Sequence, residues 1–500
     1  MSDITKTRIA CNLCRRQKIR CDKAQPACEN CRDAGVECVF TPLPRRKKAR
    51  ELPGGETRSI NLALPQWPTR YVVEQVIGHF TNSQLYTIFP IVNIESLTSL
   101  LNANSLDPGV GMMNPADRAC LVAFTAFITH IEHHELAFLH ANSDSYLQAA
   151  LSLVPQLIME HTNTRALEAL LIMALYIAPL GQPQTAQLLL SMAIRILYNL
   201  GGHTIQGPLD SLSPSVRRHH EHLRHLFWMC YSIDTEMSLR KCQAPLINDA
   251  DCNLELPAAY RSTPSPRPPF TDPQQSFPEV VFNSDLRMVM FKSKVYRQLY
   301  SRPSLEASVA TRLRLIRELD HELHELKALL PHSHPETPSE TSSGLSDTGL
   351  SDASARGHNI RSVMVNLEYY HCLTKIHGAS LVGHDVTEES SAPSSLELCY
   401  QAARSTLLYL SRMPELISEE TFWISAQFLL TAVLALHYRL ITRRHDTSHP
   451  PHEDLSILRN MLDVFVQLKN NNIASSPRPF EPFIITEAFI RYLINLSCSP

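Results

Sequence analysis

Glycine is scarce in this chain of 500 residues, which has 15 glycines against 34 prolines. Neither a G-x-G-x-x-G motif nor a P-loop occurs, so the sequence lacks the glycine-rich loops that hold nucleotide phosphates in many enzymes. The scattered Cys, His and Asp residues lie in no local motif that would place a catalytic nucleophile. Together these absences argue against an enzyme.

Long hydrophobic runs are absent as well. Residues 1–8 contain no apolar segment, so the sequence predicts no signal peptide. The most apolar stretch, Phe422 to Ile441, is interrupted by polar residues, including His437 and Arg439. This pattern predicts a buried helix rather than a membrane span, and no membrane partner is expected.

The overall net charge of −3 conceals an uneven distribution. Residues 1–50 contain 13 Lys and Arg against 5 Asp and Glu, a balance of +8, whereas the other 450 residues carry −11. A small basic region joined to a large acidic one indicates a polyanion-binding module fused to a second domain.

Cysteine is concentrated in the same basic region. Six of the 13 cysteines follow the spacing C-x2-C-x6-C-x6-C-x2-C-x6-C: Cys11, Cys14, Cys21, Cys28, Cys31 and Cys38. Thiols stay reduced in a protein that is not secreted, which favours metal binding over the alternative of disulfides. Structural zinc takes four tetrahedral ligands, so one zinc ion would leave two thiolates over. Two zinc ions are satisfied if two of the six sulfurs bridge them.

The stretches 10–23 and 26–32 resemble the fungal Zn(II)2Cys6 binuclear-cluster transcription factors. The resemblance implies two Zn2+ per chain, with Cys11 and Cys28 as the bridging ligands. It further implies a nuclear protein that binds double-stranded DNA at CGG-type half-sites and engages the transcription machinery or co-regulators. Both a monomer and a homodimer remain open.

The segment between Cys14 and Cys21 is basic and consists of residues compatible with a helix, which could enter the major groove. By resemblance, Lys18 occupies the position that contacts the bases, where lysine can bind guanine O6 and N7. Gln17 departs from the basic residue that relatives often carry there. Phosphate contacts are expected from the remaining basic residues, Arg15, Arg16, Arg20 and Lys23.

A second basic run follows the cysteines and contains Arg45, Arg46, Lys47, Lys48 and Arg50. It predicts a nuclear localisation signal, a phosphate-contacting linker, or both, with a solvated charge run as the alternative. We predict a DNA-binding domain over 1–44, a flexible linker over 45–69 and a regulatory domain over 70–500. The linker shows no heptad pattern that would predict a coiled coil.

Apolar residues at helical spacing predict an all-α body. The predicted helices cover 70–80, 117–139, 144–160, 164–178, 183–200, 217–240, 283–300, 308–330, 360–381, 395–412, 420–443 and 454–469. Proline- and serine-rich loops are predicted at 261–278, 331–358 and 445–452, of which 331–358 has the composition of a disordered segment. The leucine-rich helix ending near residue 330 is predicted to pack within the body rather than to form a dimer seam. The histidines at 219–225 are predicted to be solvated or capping rather than metal ligands.

A second resemblance, over residues 183–257, is to the fungal-specific transcription-factor region found in the middle of the same family. It rests on the segments 193–203 and 224–234 and on the order from Phe227-Trp228 to Leu256-Pro257. Glu236 and Ala244 depart from the pattern, since arginine is usual at or near both positions.

The sequence therefore predicts a transcription factor that regulates RNA polymerase II genes. By resemblance, its target is a secondary-metabolite biosynthetic gene cluster or, alternatively, the genes of sugar and polysaccharide utilisation. Two other classes are an enzyme with an appended DNA-binding module and a scaffold that uses its zinc module for protein contacts. The missing catalytic motifs argue against the first class, and the basic residues between Cys14 and Cys21 argue against the second.

Overall fold

The computed structural model describes most of the chain. The described residues are 14, 20–22, 24, 26–36, 38 and 64–498, except for 84, 104–112, 133–134, 160–161, 179–182, 206–212, 258–259, 261–281, 283, 331–350, 382–392, 415–416, 418–421, 443–451 and 476–479. The chain divides into two compact units, residues 1–59 and 60–500.

The first unit contains one short described helix, α1 (Glu29–Asp33). The Asp22 carboxylate accepts a hydrogen bond from the backbone N–H of Glu29, at 3.2 and 3.3 Å to its two oxygens. An acidic side chain at a helix N-terminus satisfies a free N–H group and complements the helix dipole. The chain turns back after α1 at Gly35, whose φ of +61° is a conformation that glycine adopts without strain.

The second unit has helices and no strands among its described residues. Its helices are α2 (Arg70–Asn82), α3 (Leu85–Ile88), α4 (Ile94–Ala103), α5 (Pro115–Ile131), α6 (Ser143–Ser152), α7 (Val154–Met159), α8 (Thr164–Ile177), α9 (Pro183–Asn199), α10 (Pro214–Lys241), α11 (Leu286–Val295), α12 (Arg302–Leu305), α13 (Val309–Leu329), α14 (Ser351–Gly378), α15 (Pro393–Arg412), α16 (Phe422–Thr442), α17 (His452–Ser475) and α18 (Glu481–Cys498). A π-helical turn, Tyr296–Tyr300, follows α11 directly.

The largest core surrounds α8, in which every residue from Ala166 to Ile177 is buried. A helix that is apolar on all sides is stable only when neighbours cover it completely, and α5, α9 and α6 pack against this one. Asparagine side chains begin the two central helices: Asn114 accepts from Ala116 N at 2.8 Å, and Asn163 accepts from Ala166 N at 2.8 Å.

Two further apolar clusters complete the second unit. One is formed by α15 to α18 with part of α14, and the other by α11, the π-helical turn, α13 and α14. Ile316, Leu319 and Leu323 of the leucine-rich helix α13 are buried in the latter. This helix packs within the body, as its spacing predicts.

The predicted fold class, a small cysteine-rich domain followed by a large all-α domain, is confirmed. No described helix combines the length and the apolar character needed to cross a membrane. The Phe422–Ile441 segment forms helix α16, in which His437 and Arg439 are both buried whereas Leu434 is 49% exposed.

Several helix limits differ from the sequence prediction. The helix predicted over 117–139 ends at Ile131, because Leu136 and Leu139, which extended its apparent period, are 84% and 56% exposed in turns. The loop predicted over 331–358 overlaps α14, which begins at Ser351. The serine-rich composition hid the strong helix formers Ala353, Ala355 and Arg356. The predicted ranges also do not include α3, α4, α12 or α18. Residues 331–350 lie outside the described part.

A buried charge network joins three helices of the large core. Glu168 on α8 is 1% exposed, and one carboxylate oxygen lies 2.6 Å from His222 Nε2. The other oxygen accepts from Arg165 Nη1 at 2.7 Å and from the Cys120 thiol at 3.2 Å. Burial alone would raise the pKa of Glu168, but the His222 hydrogen bond and the Arg165 charge outweigh it and lower that pKa to about 2.

Replacing this carboxylate tests how strongly the core depends on it. Glu168→Gln keeps the shape but leaves the Arg165 guanidinium with much less compensation, so we expect a loss of about 3 kcal/mol of unfolding free energy at neutral pH. Because the folded pKa lies below the ordinary value of 4.5, the wild-type advantage is complete above that value and declines as the pH falls towards 2. The two chains should therefore converge in acid.

Urea denaturation of the full chain, followed by far-UV circular dichroism at several pH values, measures this difference. Glu74→Gln is the matched control, because Glu74 forms an exposed ion pair with Arg70 at 2.8 Å and should cost less than about 1 kcal/mol. Equal effects of the two substitutions at neutral pH would contradict the assigned role of the network.

Candidate metal centre

Five of the six clustered cysteines lie in the described part of the first unit. Their sulfur atoms form two groups, Cys14–Cys21–Cys28 and Cys28–Cys31–Cys38, and within each group all sulfurs lie within 4.8 Å of one another. Cys28 belongs to both groups. Cys14, Cys28 and Cys31 are fully buried, and no disulfide joins any of the five described cysteines.

The distance between two of these sulfurs agrees with a shared metal ion. Cys14 Sγ and Cys28 Sγ are 3.7 Å apart. Two sulfurs bound tetrahedrally to one zinc ion, at about 2.3 Å each, would lie about 3.8 Å apart. The residues therefore fit thiolate-bound zinc, which stabilises a small module when bound because its binding free energy becomes folding free energy.

Hydrogen bonds from the chain support the sulfur atoms. The backbone N–H of Cys28 points to Cys38 Sγ at 3.4 Å, and the side-chain amide of Asn30 points to Cys14 Sγ at 3.6 Å. The same amide donates to the backbone oxygen of Arg20 at 2.8 Å. The sequence prediction assigned no role to Asn30 or to the capping residue Asp22, because their partners are brought close only by the fold.

Most of the predicted DNA-contacting residues lie outside the described part of the chain. Arg20 is described and exposed, which is compatible with a phosphate contact. The predicted residues outside it are Cys11, Arg15, Arg16, Gln17, Lys18, Lys23, Arg45, Arg46, Lys47, Lys48 and Arg50. Their roles remain predictions from the sequence.

In the second unit, the contacts of Arg224 connect the segments of the chain that carry the second resemblance. Arg224 on α10 donates to the backbone oxygens of Gly202, Asn253 and Glu255, at 3.3, 2.8 and 3.3 Å. Its guanidinium carbon also lies 4.5 Å from the ring centre of Phe227. One arginine thereby joins the end of α9 to the loop that follows α10.

Two carboxylates hold the same loop, residues 242–257. Asp234 accepts from the backbone N–H groups of Leu246 and Ile247 at 2.7 and 2.8 Å. Burial raises the pKa of Asp234 to about 6, against the lowering effect of those hydrogen bonds. Asp249 accepts from Tyr231 at 3.0 Å and pairs with Arg297 at 2.8 Å. The loop is thus fastened to α10 and to the π-helical turn.

Glu236, a departure from the family pattern, belongs to a second buried charge cluster. Lys292 is 1% exposed and donates to Glu236 at 2.6 Å and to Glu368 at 2.9 Å. The two carboxylates outweigh burial and raise the pKa of Lys292. A positively charged residue at position 236 would face this buried ammonium, so the departure is explained by the charge of its neighbour.

The histidines at 219–225 form no metal site among the described residues, in which only cysteine groups have ligand geometry. The prediction of solvated or capping histidines is wrong for two of them. His222 is buried against Glu168, and His225 packs edge-on against Phe282. Burial lowers the pKa of His225 to about 3, so this ring stays neutral. His222 and His225 are three residues apart on α10, so both lie on the side of the helix that faces the core.

The chain thus combines a unit whose cysteines have metal-ligand geometry with a second, all-α unit. The sequence profile of the fungal Zn(2)-Cys(6) binuclear cluster domain matches residues 9–48, and that of the fungal specific transcription factor domain matches residues 80–328. The chain belongs to the fungal Zn2Cys6 transcription factors. Proteins of this family bind DNA and are not enzymes, and the predicted core of resemblance over 183–257 lies within the second match.

Similar proteins carry regulatory names. An ABC-transporter-regulating transcription factor of Aspergillus oryzae is 26% identical over 343 residues, which cover 65% of this chain and 36% of that protein. The fusaridione A cluster transcription factor fsdR of Fusarium heterosporum is 22% identical over 337 residues, covering 65% and 58%. The chain thus matches about a third of the length of the first relative and more than half of the second.

The shared sulfur leads to a prediction about metal content. The full chain should bind two zinc ions, and Cys28→Ala should disturb both because its sulfur belongs to both groups. Cys14→Ala, which removes a sulfur from one described group, should chiefly weaken one ion. Native mass spectrometry or elemental analysis of the purified chains gives the zinc content. A single zinc ion in the wild-type chain would contradict the bridged arrangement.

Proposed function

We propose that this protein is a nuclear transcription factor that binds CGG-type half-sites through residues 15–20 and regulates the RNA polymerase II genes of a secondary-metabolite cluster. The observation that carries the DNA-binding part is the pair of thiolate groups joined at Cys28. In the sequence, two of these cysteines, Cys14 and Cys21, flank a segment with four basic residues among six. Two zinc ions, bridged by Cys11 and Cys28, would hold this segment.

The different contacts that we propose for the residues of the basic segment follow from the chemistry of the DNA. Arginine and lysine side chains contact phosphates without regard to sequence, whereas a side chain in the major groove distinguishes base pairs by their donors and acceptors. We assign base contact to Lys18 and phosphate contact to Arg15, Arg16, Arg20 and Lys23. The run from Arg45 to Arg50 would serve nuclear import or further phosphate contacts.

The proposed pathway rests on the names of relatives. The fusaridione A cluster factor matches over most of the chain, and the depudecin cluster-specific activator DEP6 of Fusarium langsethiae is 41% identical over 44 residues, 9% of this chain and 7% of that protein. A second candidate, control of transporter genes, is favoured by the ABC-transporter-regulating relative. In either case the helical body would contact co-regulators.

Measuring transcripts after gene deletion separates these two pathways. Deletion should change the expression of a contiguous set of biosynthetic genes, and reintroducing the wild-type gene should restore it. Reintroduced Cys28→Ala should not restore it, since the metal module would be lost. Altered transporter genes with unaltered biosynthetic clusters would support the second candidate and contradict the first.

A comparison of two substitutions tests the proposed base contact. Lys18→Ala should cost about 1–3 kcal/mol on CGG-containing duplexes and much less on scrambled duplexes, because a base contact is lost. Arg16→Ala should weaken binding to both duplexes alike and reduce the slope of log affinity against log salt by about one unit.

Fluorescence anisotropy with the full chain, at several salt concentrations, measures both quantities. If Lys18→Ala lowers both affinities equally and leaves their ratio unchanged, Lys18 does not contact the bases. Gln17 or Arg20 would then be the next residue to test.

A further inference from the structure

Asn30 lies between two cysteines of the second thiolate group and makes two hydrogen bonds across the module. Its Nδ2 atom donates to the backbone oxygen of Arg20 at 2.8 Å and to Cys14 Sγ at 3.6 Å. An amide nitrogen carries two hydrogen atoms, so it can serve both acceptors at once. Since a carbonyl oxygen and a thiolate both need a donor, the nitrogen of the amide must face them.

These two acceptors stand at the two ends of one segment. Cys14 precedes the residues 15–19 and Arg20 closes the basic stretch, so both ends are tied to the same side chain. Asn30 itself is held firmly, because it lies in α1 between Cys28 and Cys31, both fully buried. The Asp22 carboxylate caps the same helix.

We propose that Asn30 is a positioning residue for DNA recognition. It would fix the basic segment 15–20 relative to the Cys28–Cys31–Cys38 group, in which Asn30 lies. The inference rests on the proposed function, in which that segment contacts DNA. A base contact requires its side chain to be placed within a fraction of an ångström, and residues outside the contact surface supply that placement. Asn30 carries no charge, so it would act through geometry and not through phosphate attraction.

The bond to Cys14 has a second chemical consequence. A hydrogen bond donated to a thiolate withdraws electron density from the sulfur, as other outer-shell contacts tune metal ligands. Removing the amide should therefore make the Cys14 sulfur react faster with an alkylating agent. This readout does not involve DNA.

Two substitutions test the proposal in the full, zinc-loaded chain. Asn30→Asp keeps the shape but replaces the donor by a carboxylate that repels both acceptors, and Asn30→Ala removes the side chain without changing charge. Val36→Ala is a matched uncharged control, because Val36 follows α1 and is 50% exposed. Zinc content, alkylation rate of Cys14, and affinity for CGG-containing and scrambled duplexes are measured for each chain.

For Asn30→Ala we expect unchanged zinc content, faster alkylation and about tenfold weaker binding to the CGG-containing duplex. Scrambled DNA should be affected less, and the salt slope should not change because no charge is lost. Asn30→Asp should bind the CGG-containing duplex more weakly still, and Val36→Ala should match the wild type. Loss of zinc from Asn30→Ala would overturn the proposal, because Asn30 would then support the metal site as a whole.

Lys18→Ala, measured in parallel, separates this inference from the proposed function. If Lys18→Ala lowers the specificity ratio and Asn30→Ala leaves it unchanged, Asn30 does not position the segment, while the proposed function stands. If neither the Lys18→Ala nor the Arg16→Ala chain differs from the wild type, segment 15–20 does not contact DNA and both proposals fail.

Discussion

The first unit depends on the sharing of the Cys28 sulfur between two groups of thiolates. Its described residues form no buried apolar cluster other than the cysteines themselves. A module this small buries too little apolar surface to fold on hydrophobic contacts alone, so metal–thiolate bonds must supply the missing free energy. The shared sulfur joins the Cys14–Cys21–Cys28 group to the Cys28–Cys31–Cys38 group. The hydrogen bonds of Asn30 to Arg20 and of Glu29 to Asp22 connect the same two parts of the chain.

The second unit depends instead on a large apolar core. The buried charges Glu168 and Lys292 both have partners. Glu168 and Lys292 are each about 1% exposed. Glu168 is held by His222, Arg165 and the Cys120 thiol, and Lys292 by two carboxylates. Replacing one partner leaves a buried charge without compensation and lowers the free energy of unfolding. These positions therefore favour the one helix packing that keeps the partners together. Arg224 and Asp234 fasten the loop after α10 through its backbone groups, among which the N–H of the buried Ile247 donates to Asp234.

The sequence predicts those features that depend on neighbours along the chain. Helical spacing identified most helices of the body, and the cysteine spacing identified the metal module, because both signals are local. Contacts between residues far apart in the sequence were not predicted. Glu168 and His222 are 54 residues apart, and the sequence of neither helix predicts their hydrogen bond. The error at Leu136 and Leu139 has the same origin, since apolar spacing alone does not reveal whether a neighbouring helix covers them.

The charge distribution explains why positioning matters so much in this protein. Residues 51–500 carry −11 and repel phosphate, so attraction to DNA would come from residues 1–50, which carry +8 before ligands are counted. Six thiolates with the two proposed zinc ions would carry −2, which reduces that attraction further. A protein with limited electrostatic affinity cannot gain specificity by adding charge, because charge attracts all sequences equally. Under the proposed function, specificity would come from base contacts, which depend on how accurately the basic segment is held. In the described part of the module, Asn30 contacts Cys14 before this segment and Arg20 at its end.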